Sequence, residues 1–181
     1  RILKAALAVK DYVAEGHTDR VKRLALMLGE AVGLSRSDLD MLCLLADLHD
    51  LGKLAVPEHI LFKPSKLTDE EWDVVKRHPE VGHRIALSSP ELAPVAELIR
   101  QHHERWDGLG YPHGLRGEEI HILSRILTIA DAYDAMTSDR PYRRARSREE
   151  ALEELKRCAG KQFDPHLIEV FVRLMAESRK S

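Results

Sequence analysis

The chain has 181 residues, 44% of them hydrophobic and 32% charged, a composition that predicts a folded globular domain with a substantial core and excludes a disordered chain. Its 28 Lys and Arg residues are balanced by 30 Asp and Glu residues, and the net charge of −2 excludes the basic surface expected of a general nucleic-acid-binding protein. No apolar run of about 18 residues and no signal peptide are present, so no membrane segment is predicted.

The two cysteines, Cys43 and Cys158, lie far apart in sequence among apolar or helical residues. Reduced thiols are therefore favoured over a disulfide, which suits a cytoplasmic protein. The composition predicts a single domain over residues 1–181. Because the chain starts at Arg1 and not at Met, we interpret it as a fragment of a longer protein.

Apolar residues recur at the i, i+3, i+4, i+7 spacing of a helix through most of the chain. Three such groups, in chain order, are Val21, Leu24, Ala25 and Leu28; Leu39, Leu42, Cys43 and Ala46; and Leu167, Val170, Phe171 and Leu174. No clear strand alternation appears. The sequence therefore predicts an all-α fold with about seven helices.

Helix starts are marked by side chains that can accept the free N–H groups of a first turn. Thr68 with Glu71 and Ser147 with Glu150 fit the capping box. Asp164 before Pro165 fits a third start, because proline needs no hydrogen bond at the first helical position.

Two stretches rich in Gly and Pro, residues 52–66 and 104–117, are predicted to be loops. Each directly follows a pair of metal-type side chains at the end of a predicted helix. The first pair is His49 and Asp50, and the second is His102 and His103. Loops on a rigid helical scaffold are where binding residues concentrate, so both helix ends are candidate sites.

The candidate metal ligands are imidazoles and carboxylates, which bind hard or borderline divalent ions. The seven candidates are His17, His49, Asp50, His78, His102, His103 and Asp131. Seven ligands exceed the three or four that one ion takes from a protein, so the set predicts two metals. Two cations about 3.5–4 Å apart form the clamp used in phosphate-ester hydrolysis, which is the predicted reaction class.

The carboxylates in this set have distinct expected roles. Asp50 has two oxygens and could bridge both ions, whereas an imidazole gives one nitrogen to one metal. Asp131 falls in an apolar helix, where an unpaired charge would be costly and a metal would remove that cost. The other histidines are interpreted as surface or hydrogen-bonded residues: His59, His83, His113, His121 and His166.

Two segments, 49–53 (His-Asp-Leu-Gly-Lys) and 102–112 (His-His-Glu-Arg-Trp-Asp-Gly-Leu-Gly-Tyr-Pro), strongly resemble the motifs of the HD-GYP domain, a bacterial branch of the HD phosphohydrolase superfamily. The resemblance runs from Gly16, His17 and Thr18 to the segment 162–165. It implies an all-α HD-domain helical bundle with two extra C-terminal helices. It also implies the hydrolysis of cyclic di-GMP to pGpG, and onward to GMP.

The family's metal ligands fall on the same seven residues, and the resemblance favours iron or manganese. Some members carry a further glutamate one turn before the first histidine, associated with a third metal. Here that position is Val13, which argues for a dinuclear centre, although Glu15 lies nearby. Leu109 stands where a small polar residue is more usual, which could alter polar contacts of the loop.

Several residues are predicted to contact the substrate. Lys53 lies four residues after His49, so its ammonium could meet the scissile phosphate or a metal-bridging hydroxide. Gly110 lets the backbone approach a ligand, and Tyr111, before Pro112, offers an aromatic face to a guanine base. Trp106 is expected to pack in the core.

An arginine-rich segment follows the helix that carries Asp131. A cyclic dinucleotide has two phosphates, and guanidinium groups bind phosphate oxygens bidentately. By resemblance the best positions are Arg140 and Arg143. The expected catalytic residues are Asp50 and Lys53, with the hydroxide attacking phosphorus in line.

Alternatives remain open from the sequence. One is a catalytically silent module that binds a cyclic dinucleotide or a protein, and another is an HD hydrolase acting on a different nucleotide, including cyclic GMP-AMP. The resemblance further suggests a homodimer, a GGDEF-domain partner and an upstream sensory or receiver domain of a signal-transduction protein.

Overall fold

A computed structural model describes residues 16–139 and 143–179. Within these ranges the chain is helical, with isolated β-bridges such as Asp107–Arg116 and Ala159–Phe163. The α-helices are α1 (His17–Ala31), α2 (Arg36–Leu48), α3 (Glu58–Leu61), α4 (Asp69–Lys76), α5 (His78–Leu87), α6 (Ala93–Gln101), α7 (Ile122–Thr137), α8 (Arg148–Arg157) and α9 (Pro165–Glu177). Two 3-10 helices span Leu51–Ala55 and Gly117–Glu119. The all-α prediction is confirmed.

The described ranges contain nine α-helices where the sequence predicted about seven. The difference has two sources. Helices α4 and α5 are separated only by Arg77, and α3 is a single turn inside the stretch predicted to be a loop. That turn is anchored by Ile60, which is buried although the three residues before it are exposed.

The core lies where α1, α2 and α7 pack together, with α6 along one side and α8 and α9 along the other. The largest fully buried side chains near its centre include Leu28, Leu42, Ile126 and Phe171. Burying a side chain of this size stabilises the fold by about 1.5–3 kcal/mol. None of the helices in the described ranges is long and apolar enough to cross a bilayer.

The three predicted helix starts are confirmed. Thr68 and Ser147 each accept the backbone N–H three residues on, and Glu71 and Glu150 complete the capping boxes. Asp164 Oδ1 accepts from the backbone N–H groups of residues 166 and 167 at the start of α9. These local signals are strong because the first-turn N–H groups have no partner inside the helix.

A close backbone contact sets the position of α5. A Cβ on Gly52 would lie 1.7 Å from the carbonyl oxygen of His78 and 2.8 Å from the backbone nitrogen of Gly82. Only a glycine allows this approach. The contact holds the 3-10 helix Leu51–Ala55 directly against α5, and it therefore fixes the segment after Asp50 next to His78.

Candidate metal centre

The seven predicted ligands lie mainly at helix ends that converge on one region. His17 and His78 are the first residues of α1 and α5, and His49 and His102 are the C-caps of α2 and α6. Asp50 and His103 follow these C-caps directly, and Asp131 lies within α7. Several helix ends can converge on one point more closely than several helix sides can. The cluster is accordingly formed by four helix ends and one helix face.

One half of the cluster combines histidines and carboxylates. Nε2 of His17 lies 3.0 Å from Oδ1 of Asp131. Nε2 of His49 lies 3.1 Å from Oδ2 of Asp50 and 3.8 Å from Oδ1 of Asp131. His17, His49 and Asp50 each offer one ligand atom to a group small enough for a single ion.

The other half consists of imidazoles. Nε2 of His78 lies 2.9 Å from Nε2 of His103, and the rings of His102 and His103 are 3.8 Å apart between centroids. With metal–nitrogen bonds of about 2.1 Å, two ligands at a right angle would be about 3 Å apart, which fits the His78–His103 distance. The halves adjoin, because the His49 and His102 ring centroids lie 5.3 Å apart.

Backbone carbonyls orient three of these imidazoles. Nδ1 of His49, His78 and His102 donates to the carbonyl oxygen three residues earlier, at 2.7, 2.7 and 3.0 Å respectively. Each proton is thereby held on Nδ1, and the lone pair of Nε2 points into the cluster. This is the tautomer that a metal-binding histidine requires.

Two of the imidazole nitrogens are buried without a hydrogen bond. Nε2 of His102 has no hydrogen-bond partner among the residues that the structure describes. Nε2 of His49 has only its ion-pair contacts with Oδ2 of Asp50 at 3.1 Å and Oδ1 of Asp131 at 3.8 Å, which lack hydrogen-bond geometry. An unsatisfied buried polar atom typically costs about 1–3 kcal/mol, and proteins rarely retain it without a compensating ligand. A divalent ion on each side would satisfy both atoms, so the seven residues fit a pair of metals.

The electrostatics of the two halves differ. Burial lowers the pKa of His102 to about 3, and burial together with the repulsion that a second charge would meet at His102 and His78 holds the pKa of His103 well below its usual range. These two rings are therefore neutral at pH 7, as a ligand must be. On the carboxylate side, burial alone would lower the pKa of His17, but hydrogen bonds to Asp131 and Asp134 raise it to about 10.

The carboxylates are ionised. Burial alone would raise the pKa of Asp131, but the His17 hydrogen bond and the charge of His49 lower it to about 2. Burial also opposes ionisation of Asp50, but the charges of His49 and Lys53 keep its pKa well below the usual range. Two negative charges therefore lie at the cluster at neutral pH, and they would attract cations.

Asp134, which the sequence did not single out, supports the ligand His17. Its Oδ2 accepts from Nδ1 of His17 at 2.5 Å, and its Oδ1 accepts from Nε of Arg20 at 2.6 Å. A carboxylate behind a ligating histidine fixes the ring and increases its basicity. The available signal was spacing, because Asp134 lies three residues after Asp131 on the same helix.

Lys53 lies at the edge of the cluster. The 3-10 helix brings its Nζ to 3.2 Å from Oδ1 of Asp50. The helical turn that was expected to carry Lys53 continues from His49 as a tighter 3-10 turn, and the ammonium still reaches the carboxylate side.

The segment predicted as a glycine-rich loop folds back on the ligand pair. The backbone N–H of Tyr111 donates to the carbonyl of His103, and a Cβ on Gly110 would lie 2.5 Å from that same oxygen. The rings of His103 and Tyr111 stack with centroids 5.1 Å apart and an interplanar angle of 16°. One face of Tyr111 is therefore covered by a ligand histidine. Pro112 follows through a cis peptide bond.

Glu104 binds the C-terminal part of this loop, a role that was not predicted from the sequence. It is only 2% exposed, and its two carboxylate oxygens accept the backbone N–H groups of His113 and Leu115 at 2.7 and 2.9 Å. Because Glu104 follows His103 directly, one carboxylate links the loop to the cluster.

The remaining predicted positions stand apart from the cluster or outside the described ranges. Arg143 is exposed and donates to the carbonyl of Ala135 at 2.7 Å. Trp106 is half-buried under the guanidinium of Arg125, so its predicted core position is only partly realised. Arg140, Val13 and Glu15 lie outside the described residues.

Comparison with known proteins identifies the family of the chain. The HD domain family model matches residues 1–167. A cyclic di-GMP phosphodiesterase of Thermotoga maritima is 40% identical over 97% of this chain, which covers 48% of that protein. The cyclic di-GMP phosphodiesterase response regulator RpfG of Xanthomonas campestris pv. campestris is 38% identical over 97% of this chain and is covered to 47%. The chain thus spans about half the length of these relatives.

A solved structure shares the fold. The cyclic GMP-AMP-specific phosphodiesterase V-cGAP3 of V. cholerae superimposes with a TM-score of 0.76 at 23% identity, over 98% of this chain and 48% of that one. At this identity the likeness supports the fold alone. The family match and the sequence relatives together show that this chain belongs to the HD domain family, in its HD-GYP branch.

Proposed function

We propose that this chain is a metal-dependent phosphodiesterase that hydrolyses cyclic di-GMP to pGpG, with GMP as the product of a second cleavage. The names of the two sequence relatives support the substrate. The geometry supports the reaction class, because a paired metal site is an arrangement that phosphoester hydrolysis uses.

The observation that carries the proposal is the pair of buried Nε2 atoms, on His49 and His102, that have no hydrogen-bond partner in the described ranges. They belong to adjoining ligand groups, each of which contains three residues able to hold one ion. Had the cluster evolved only for stability, hydrogen bonds or apolar side chains would serve better.

The residues divide naturally between two ions. His78, His102 and His103 would hold one, and His17, His49 and Asp50 would hold the other, with Asp131 adding negative charge beside His17 and His49. When bound, such a metal pair supplies a water of lowered pKa and polarises the phosphate. Imidazole and carboxylate ligands accept several divalent transition metals, and the resemblance to the HD-GYP domain favours iron or manganese among them.

The chain's own residues would orient the phosphate and stabilise its charge. The ammonium of Lys53, at 3.2 Å from Asp50, lies where it can approach a phosphate oxygen held at the cluster. A positive charge at that place is worth more in the transition state, where negative charge on the phosphate increases. Arg140 and Arg143 are proposed to bind the second phosphate.

Removal of one carboxylate tests the proposal. Protein purified anaerobically and loaded with Fe²⁺ or Mn²⁺ is expected to convert cyclic di-GMP to pGpG. Chromatography of the reaction mixture measures the conversion. Asp50→Ala should lose both metal and turnover, because it removes a charged ligand from the cluster. Asp47→Ala is the matched control, since Asp47 pairs with Lys22.

Two results would contradict the proposal. Full turnover with normal metal content in Asp50→Ala would remove Asp50 from the site. Tight binding of cyclic di-GMP by the metal-loaded wild-type protein without any hydrolysis would indicate a silent binding module. Cyclic GMP-AMP assayed in parallel measures the selectivity of the site.

A further inference from the structure

Helix α4 carries a large exposed aromatic residue beside the candidate centre. Trp72 is 45% exposed, and no residue of α4 is buried. The helix is defined by its capping box and not by a core contact from its indole. Exposure of an indole to water costs free energy, and Trp72 does not fill the core. Its exposure therefore points to a role other than core packing.

The position of Trp72 relative to the metal cluster is set through Tyr111. The Trp72 ring meets the Tyr111 ring edge to face, with centroids 6.5 Å apart. Tyr111 in turn stacks on His103, a predicted ligand. An unbroken series of three rings therefore leads from the cluster outward to an exposed indole.

A cation lies near the Tyr111 ring. Nζ of Lys76 lies 5.5 Å from the centroid of the Tyr111 ring, and Lys76 is four residues after Trp72 on the same side of α4. An ammonium therefore lies beside the ring that links the indole to the cluster.

From this arrangement we propose that Trp72 and Lys76 form a nucleobase subsite, in which a purine of the substrate stacks on the indole while its phosphate lies at the metal cluster. This inference rests on the proposed function and adds the site that holds the base. An exposed aromatic face with a neighbouring ammonium suits an electron-rich base with carbonyl oxygens. Because one face of Tyr111 is covered by His103, the indole is the better platform.

The expected kinetic effect follows from the distance between the subsite and the reacting phosphate. Stacking would be present equally in the ground state and the transition state, so its loss should raise KM with little change in kcat. Trp72→Ala is expected to raise KM by about tenfold, within the range measured for single stacked bases. Trp72→Phe keeps a ring and should remain within about threefold of wild type.

Fluorescence gives an independent readout, because the chain has only two tryptophans, Trp72 and Trp106. Rapid mixing of the metal-loaded protein with cyclic di-GMP should quench the emission of the wild type before turnover. In Trp72→Phe only Trp106 emits, and that signal should stay constant. Leu87→Ala, which removes another exposed apolar side chain, is the control and should leave KM unchanged.

The outcomes separate the subsite from the proposed function. Wild-type hydrolysis with unchanged KM in Trp72→Ala and no Trp72 quenching overturns the subsite and leaves the phosphodiesterase intact. Quenching without hydrolysis supports the subsite and overturns the phosphodiesterase. If the wild type neither binds nor hydrolyses cyclic di-GMP, both are overturned. Circular dichroism of each variant verifies the fold.

Discussion

Asp134 is not a predicted ligand, but it fixes the orientation of one, the His17 imidazole. It holds Nδ1 of His17 and the guanidinium of Arg20 at the same time, so the His17 ring is fixed from behind while Nε2 faces Asp131. A fixed ring loses less conformational freedom on binding an ion than a mobile one. Asp134 should therefore contribute to metal affinity although it offers no ligand.

Asp134→Asn is expected to weaken the binding of the metal on the His17 side by about 10–100-fold, the usual cost of losing a carboxylate behind a ligand histidine. The measurement is competition against a chelator of known affinity. Asp47→Asn makes the same chemical change in the ion pair with Lys22 and should leave affinity unchanged. Equal metal affinity in Asp134→Asn and wild type would show that the contact only stabilises the fold.

At this scale the sequence singled out the candidate ligands but not the side chains that hold them in place. The seven candidates could be chosen because their residue types and motif context are distinctive. Asp134 and Glu104 could not, since a helical aspartate or a glutamate in a polar segment usually faces solvent. Their roles depend on contacts across 117 residues in one case and on a loop that folds back in the other.

Among the secondary-structure elements, α4 is specified by its own sequence. Its capping box combines Thr68 with Glu71, and Glu71 also accepts from Nζ of Lys63 at 2.5 Å. The hydrogen bond from Lys63, followed by the one from the Thr68 backbone, lowers the pKa of Glu71 to about 2. The folded state therefore releases this proton more readily than the unfolded chain.

This shift predicts a pH dependence of stability. The contribution of Glu71 is present above the unfolded pKa of about 4.3 and is lost as pH falls toward the folded value. Glu71→Gln should have a lower Tm than wild type at pH 7, and the difference should shrink below pH 3. Glu70→Gln, in the same turn but outside the capping box, serves as the control. A Tm difference that persists unchanged at low pH would contradict the assignment.

The 3-10 helix after Asp50 is the element that the sequence could not specify. The helix α2 ends at Leu48. The conformation of the next turn depends on the contact of Gly52 with the backbone of α5. That contact joins residues 26 apart, from Gly52 to His78, and local patterns carry no information about it. By contrast, both capping boxes were evident from four-residue patterns.

Gly52→Ala is expected to separate the 3-10 helix from α5, because its Cβ would overlap the His78 carbonyl. The cost should be about 1–3 kcal/mol or more in unfolding free energy, measured by urea denaturation, together with weaker metal binding. Ala55→Ser, on the exposed side of the same 3-10 helix, is the control. Wild-type stability in Gly52→Ala would mean that the two backbones can move apart freely.

The predicted ligands come from three helices of the first half of the chain, α1, α2 and α5, and from two of the second half, α6 and α7. The fold class followed from helical periodicity, whereas the joining of the ligands is a property of the tertiary structure and followed only from the family resemblance. Metal bound at such a centre stabilises the native chain, because the unfolded chain cannot present the ligands together.

Metal removal should accordingly lower thermal stability. At a free ion concentration of about 100 times Kd, the gain of about 2.7 kcal/mol corresponds to a Tm increase of roughly 5–10 °C for a chain of this length. Differential scanning fluorimetry with Mn²⁺ and with a chelator measures this increase in Tm. His102→Ala should lose most of the increase. Identical melting with and without metal would argue against a site of useful affinity.

The location of His17 at the start of α1 has a mechanical consequence. Successive residues of a helix are about 100° apart around its axis, so a rotation of α1 by that angle would turn the His17 imidazole away from Asp131. The packing of Val21, Ala25 and Leu28 in the core prevents that rotation, and it therefore also sets the direction in which this candidate ligand points.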